Sequence, residues 1–108
     1  MSIATVGKYR LGGPEGHDPE PVLGLLEWAV WFETANLQVD FDALPDCEVS
    51  TTFVGMDHRL GEPGPPLVFE TLVRGGEEDG SQWRYSTWDE ALAGHARIVA
   101  EQAKGARG

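Results

Sequence analysis

Residues 48–58, reading Glu-Val-Ser-Thr-Thr-Phe-Val-Gly-Met-Asp-His, constrain the fold more than any other stretch of this chain. They are rich in β-branched side chains, and period-two alternation puts Val49 and Phe53 on one face with Val54 and Met56 on the other. A strand that is apolar on both sides belongs inside a sheet. Residues 37–41 and 67–73 are its expected neighbours, and helical stretches outside them can cover the sheet.

The segment 37–42, Leu-Gln-Val-Asp-Phe-Asp, alternates strictly, which predicts a half-buried strand with Asp40 and Asp42 facing water. Residues 67–74 resume the strand pattern with Leu67, Phe69, Thr71 and Val73 on one side, and 82–86 make a last short strand in which Trp83 and Tyr85 share a face. Proline lacks the donor that a ladder needs, so 59–66, with Pro63, Pro65 and Pro66, is an exposed connection. The glycine-rich runs 11–17 and 75–80 are loops without the phosphate-loop pattern, and 5–11 forms an N-terminal strand at most.

Two helices are predicted. Asp18 before Pro19 offers an N-cap and an N1 proline, and from Glu20 to Ala35 one stripe holds Val22, Leu25, Leu26, Ala29 and Phe32. A second stripe holds Trp28 and Trp31. Either both tryptophans are core, or they form a surface for a partner or a second copy. In the second helix Thr87 stands three residues before Glu90 as a capping box. Trp88, Ala91, Leu92, His95, Ile98 and Val99 then line one face, and Lys104 with Gly105 supplies the stop.

These elements predict one α+β domain over 1–108, in the order α-β-β-β-β-α with room for an extra N-terminal strand. The four strands form an antiparallel sheet with both helices packed on one face. The other face, carrying Val54, Met56, Val68 and Leu72 or their opposites, is expected to be partly open and could pair with another copy.

Charge narrows the function. The chain has 18 Asp and Glu against 8 Lys and Arg, a net charge of −10. No Lys or Arg lies between Leu11 and His58. Such a surface repels nucleic acid and anionic membrane and attracts basic proteins, so neither direct nucleic-acid binding nor membrane association is expected. The lone Cys47 excludes an internal disulfide framework, and the start of the sequence carries no apolar signal core, which makes the cytoplasm the expected compartment.

The chemical candidates are Asp57, His58, Glu70, His95, His17 and Cys47. None has the spacing of a metal or triad motif: His-Glu-x-x-His and Cys-x-x-Cys are absent. On neighbouring strands Asp57, His58 and Glu70 could meet His95 and form a small metal-dependent hydrolase. Against that, His95 on a buried helix face is the pattern of a hydrogen-bonded structural histidine, Asp57 and His58 precede a loop, and Glu70 stands at a wet edge or against a base such as Arg84. No catalytic residue, metal or cofactor is assigned.

Four blocks carry a resemblance: Trp28-x-x-Trp31-Phe32-Glu33-Thr34-Ala35; Val49-Ser50-Thr51-Thr52-Phe53-x-Gly55-x-Asp57-His58; Pro66-Leu67-x-Phe69-Glu70-Thr71; and Arg84-Tyr85-Ser86-Thr87-Trp88-Asp89-Glu90-Ala91-x-x-Gly94-His95. In this order, from about Lys8 to Val99, they resemble a family of small uncharacterised proteins of bacteriophages and prophages. The resemblance implies no activity. It implies a phage accessory protein in the host cytoplasm that binds a host protein with a basic surface, for example as an acidic inhibitor of a defence system.

Two other readings stand beside it: a small-ligand, nucleotide-like binding oligomer that uses Trp28, Trp31, Trp83 and arginines 59, 74 or 84, and the hydrolase around Asp57, His58, Glu70 and His95. Surplus apolar area on the first helix makes a homodimer one of the expected partners.

Overall fold

A computed structural model describes residues 7–59 and 62–107, with backbone alone for 105–107. The elements in chain order are β1 (Tyr9–Gly12), β2 (Asp18–Pro21), α1 (Leu25–Thr34), β3 (Gln38–Ala43), β4 (Glu48–Phe53), β5 (Phe69–Arg74), β6 (Gln82–Tyr85) and α2 (Trp88–Arg107). Strands β3 to β6 form a four-stranded antiparallel meander in the order β3-β4-β5-β6, and β1 with β2 makes a separate hairpin. The architecture is α+β, with α2 packed along one face of the sheet and α1 packed on β1 and reaching that face through Trp31. None of the described helices is long and apolar enough to cross a membrane.

Strand β4 is internal, paired with β3 on one side and β5 on the other. It presents Val49, Thr51 and Phe53, all buried, to the helices, opposite Val73, Thr71 and Phe69 of β5. Its other face is polar, with Ser50 and Thr52, so the two-sided apolarity read over 48–58 belongs to the extension past Phe53. There Gly55 turns the chain at φ +74°, and a Cβ on it would meet a Phe32 ring carbon at 2.8 Å, so only glycine fits beneath α1. Val68, expected on the open face, is fully buried.

The helix expected from Asp18 begins later. Asp18 and Glu20 each precede a proline, which disfavours the α region at both, and the segment pairs with β1 as strand β2 instead. Of the N-terminal strand expected over 5–11, Thr5 and Val6 lie outside the described residues, and the observed strand is Tyr9–Gly12.

Of the two alternatives for α1 the tryptophans pack inward, and Ala29 and Phe32 of the first stripe are half-buried with them. Trp31 stands edge-on to Phe53 with centroids 5.9 Å apart, Trp28 stacks on Phe32 at 4.8 Å, and Trp28 Nε1 donates to the Tyr9 carbonyl at 3.0 Å. Leu25 and Leu26, expected against the sheet, are exposed. The tryptophans win the inner position because each removes more apolar area from water, and the indole N–H of Trp28 finds an acceptor there.

In α2 the capping box forms: Glu90 N donates to Thr87 Oγ1 at 3.1 Å and Thr87 N donates to Glu90 Oε1 at 3.2 Å. The helix continues through Gly105 to Arg107, beyond the expected stop. Its buried positions Ala91, Gly94, His95 and Ile98 lie along the sheet. The core falls into two clusters, one around Val49, Val73 and Ile98 and one around Phe53, Val68, Phe69 and Ala91. Between them lies a polar layer of Thr51, Thr71 and His95.

Candidate functional site

The β3–β4 pairing contains a bulge: Gln38 opposes Thr52 and Asp40 opposes Thr51, leaving Val39 as the extra residue. The inserted residue shifts the parity of everything after it. Phe41, expected inside with Val39, is 47% exposed on the outer face. Asp40 and Asp42, expected on the solvent side, stand in line with Thr51 and Val49 on the helix face, where their side chains remain about half exposed.

His95 reaches them from α2. Its side chain is 1% exposed, with Nε2 at 2.8 Å from Asp42 Oδ2 and 3.8 Å from Asp40 Oδ2. Its other nitrogen, Nδ1, lies 2.7 Å from Thr51 Oγ1, which lies 2.5 Å from Thr71 Oγ1. A carboxylate only accepts, so Nε2 donates to Asp42, and in the neutral ring Thr51 then donates to Nδ1 and Thr71 to Thr51.

The connectivity of carboxylate, imidazole and hydroxyl is that of an acyl-transfer triad, but the exposure is reversed. The hydroxyl end, Thr51, is fully buried while the carboxylate end meets solvent. No substrate can reach the would-be nucleophile, so the chain of bonds supports the fold. The donor atoms of Asp40, Asp42 and His95 do lie within 4.8 Å of one another, one nitrogen and two oxygens of the kind that zinc or manganese accepts.

The site expected around Asp57, His58, Glu70 and His95 does not assemble. Asp57 Oδ1 accepts from the backbone N–H of Arg59 and of Leu67, both at 2.9 Å, and so closes the neck of the following loop. The His58 N–H donates to the Leu67 carbonyl at 3.1 Å in the same neck. Glu70 pairs across strands with Arg84, 3.9 Å away, on the outer face of the sheet, whereas His95 is bonded on the inner face. Trp28 and Trp31 are packed as described, and His17 stacks on Trp88 at 3.7 Å, fastening the β1–β2 turn to the start of α2.

Two clefts remain. One of about 420 Å³ lies beside the N-terminus of α2 and brings Arg59 and Arg84 together with Ser86 and Thr87, but Glu90 also lines it. The cations are already engaged, Arg59 Nε with the Pro65 carbonyl and Arg84 with Glu70 and Gln82. That offsets the charge a phosphate would need.

The larger cleft, about 660 Å³, opens where the β3–β4 and β5–β6 turns meet the C-terminal half of α2. Trp83 and Cys47 supply its apolar surface, Gln102 a polar one, and Asp46, Glu77, Glu78 and Glu101 surround them; no Lys or Arg among the described residues lines it. Cys47 Sγ lies 4.0 Å from Gln102 Oε1. Burial, and secondarily the charge of Asp46, push the Cys47 thiol up from its ordinary range, so it stays protonated. Sequence reasoning missed this cleft because its acids come from three separate segments. The available signal was the acidic run 77–79 beside a strand carrying Trp83.

No match was found among protein-family models, curated proteins or solved structures.

Proposed function

We propose that this protein is a non-catalytic binding protein that grips a basic segment of a partner protein in the Trp83 cleft. The observation that carries the reading is the make-up of that cleft: an indole and four carboxylates, with no cation among the described residues that line it. An aromatic face with carboxylates around it suits the guanidinium or ammonium group of an Arg or Lys side chain, through cation–π attraction and charge-assisted hydrogen bonds. The net charge of −10 would draw a basic surface toward it over longer range. The resemblance to phage and prophage proteins extends the proposal to a host target. A defence nuclease, whose nucleic-acid-binding surface is basic, fits that description.

Titration of Arg-rich and Lys-rich peptides, followed by calorimetry, tests the proposal. Binding is expected to weaken steeply with salt and to fall by about tenfold or more in Trp83→Ala and in Glu77→Lys with Glu78→Lys. Equal affinity for the charge-reversed variant would remove the cleft from consideration. Comparable binding of a neutral peptide would do the same for the charge argument.

A further inference from the structure

We infer that Asp40, Asp42 and His95 form a site for one divalent transition-metal ion, zinc foremost, that clips β3 to α2. His95 Nε2 lies 2.8 Å from Asp42 Oδ2 and 3.8 Å from Asp40 Oδ2, and the three donor atoms all fall within 4.8 Å of one another. Ligand atoms held about 2.0–2.2 Å from a single zinc ion stand roughly 3–3.5 Å apart, so the two nitrogen–oxygen distances straddle what coordination requires. One imidazole with two carboxylates is a donor set that zinc and manganese take, whereas calcium and magnesium prefer oxygen alone. Both carboxylates are about half exposed, which lets them close on an ion and leaves its remaining positions to water.

A structural hydrogen bond from His95 needs one carboxylate, and Asp42 supplies it. Asp40 Oδ2, at 3.8 Å, is too far to share the proton, yet it brings a second negative charge to the same face. Among the described residues no Lys or Arg lies within ion-pair distance of either carboxylate. Asp40 is nonetheless held in place. Its Oδ1 accepts from the Phe41 N–H at 2.9 Å, and Gln38 Nε2 pins the bulge through the Asp40 and Thr51 carbonyls at 2.7 and 2.8 Å. A cation between the two acids resolves the repulsion that this placement creates.

The buried side of the ring is built for either state of the site. An ion on Nε2 needs that nitrogen's lone pair, so the ring proton passes from Nε2 to Nδ1 and the imidazole stays neutral. Nδ1 lies 2.7 Å from Thr51 Oγ1, which lies 2.5 Å from Thr71 Oγ1. Hydroxyls both donate and accept: without the ion Thr51 donates to Nδ1, and with it Nδ1 donates to Thr51 and Thr51 to Thr71. A backbone carbonyl or amide in that place would serve one state only. A partner of this kind behind a ligating histidine fixes the ring toward its metal. The site shares no residue with the Trp83 cleft and stands independently of it.

Calorimetric titration of Zn²⁺ into the whole chain, first stripped with a chelator, tests the inference. About one ion per chain is expected to bind, and an excess of it to raise the melting temperature by about 5 °C or more. Asp40→Asn with Asp42→Asn, both at half-exposed positions, should keep the far-ultraviolet circular dichroism and weaken binding by about tenfold or more. The nitrogen-15 shifts of the His95 ring should report its proton moving from Nε2 to Nδ1. A wild type that binds no ion overturns the inference, as does binding that survives the double substitution. Stoichiometric binding that is lost instead in Glu77→Lys with Glu78→Lys assigns the ion to the acidic cleft and overturns it too. A His95 ring whose proton stays on Nε2 with the ion bound removes the histidine, and the site with it.

Discussion

His95 on α2 and Asp42 on β3, 53 residues apart in sequence, are joined by a 2.8 Å hydrogen bond that closes a polar layer through an otherwise apolar core. The buried end of that layer is the side that matters for stability. Replacing His95 by Ala leaves a cavity and strips Thr51 of a partner, at a cost of about 3 kcal/mol. Thr51→Val, which orphans His95 Nδ1 and Thr71, is expected to cost about 1–3 kcal/mol. Asp42→Asn keeps an acceptor at a half-exposed position and should cost about 1 kcal/mol or less. Urea unfolding of the three variants gives the order, and an Asp42→Asn loss as large as that of His95→Ala would contradict it.

Gly94 on α2 leaves room for the Tyr85 ring, which a Cβ would strike at Oη, Cζ and Cε1. Gly94→Ala would ordinarily favour a helix, but here overpacking wins and a net loss of about 1–3 kcal/mol is expected. The Tyr85 hydroxyl is buried with no hydrogen-bond partner among the described residues. Tyr85→Phe should therefore be neutral or mildly stabilising, and it should relieve part of the Gly94→Ala loss in the double variant. Thermal melts of the three proteins would reveal a cycle with no coupling if the contact is absent.

The raised pKa of Cys47 has a pH signature. In the folded protein the thiol holds its proton to higher pH than in the unfolded chain, because burial, then Asp46, disfavours the thiolate. Stability is then unaffected below the ordinary thiol range and falls as pH rises through it, since the unfolded state gains by ionising first. Cys47→Ala should flatten that alkaline slope in denaturation curves taken at stepped pH. An identical slope in the variant would show that another group sets it.

Capping of α2 rests on Thr87 and Glu90, and Glu90 Oε1 also accepts from the Ser86 N–H at 3.1 Å. Thr87→Ala and Glu90→Ala should each cost about 1 kcal/mol, with the double variant losing less than the sum because the two bonds form one motif. Chemical denaturation measures both. Strict additivity would mean that the box does not act as a unit.

Much of the sheet was legible along the chain. The strand pattern of β4, β5 and β6 and the cap of α2 follow from side-chain period and local hydrogen-bonding chemistry. Illegible were the bulge before Asp40 and the exposure of Leu25 and Leu26 on α1, because alternation and helical spacing describe a residue's neighbours whereas both outcomes depend on elements distant in sequence. The strand at Asp18–Pro21 did have a local signal, two residues that each precede a proline, which the apparent cap at Asp18-Pro19 masked.

Local pattern alone determined which segments could be strands or helices, because backbone preference and side-chain period act over a few residues. Tertiary structure alone decided which carboxylates meet: Asp42 with His95, and Asp46, Glu77 and Glu101 around Trp83. The physical reason is that a one-residue insertion turns a strand over, and a cleft draws its walls from segments that only packing brings together.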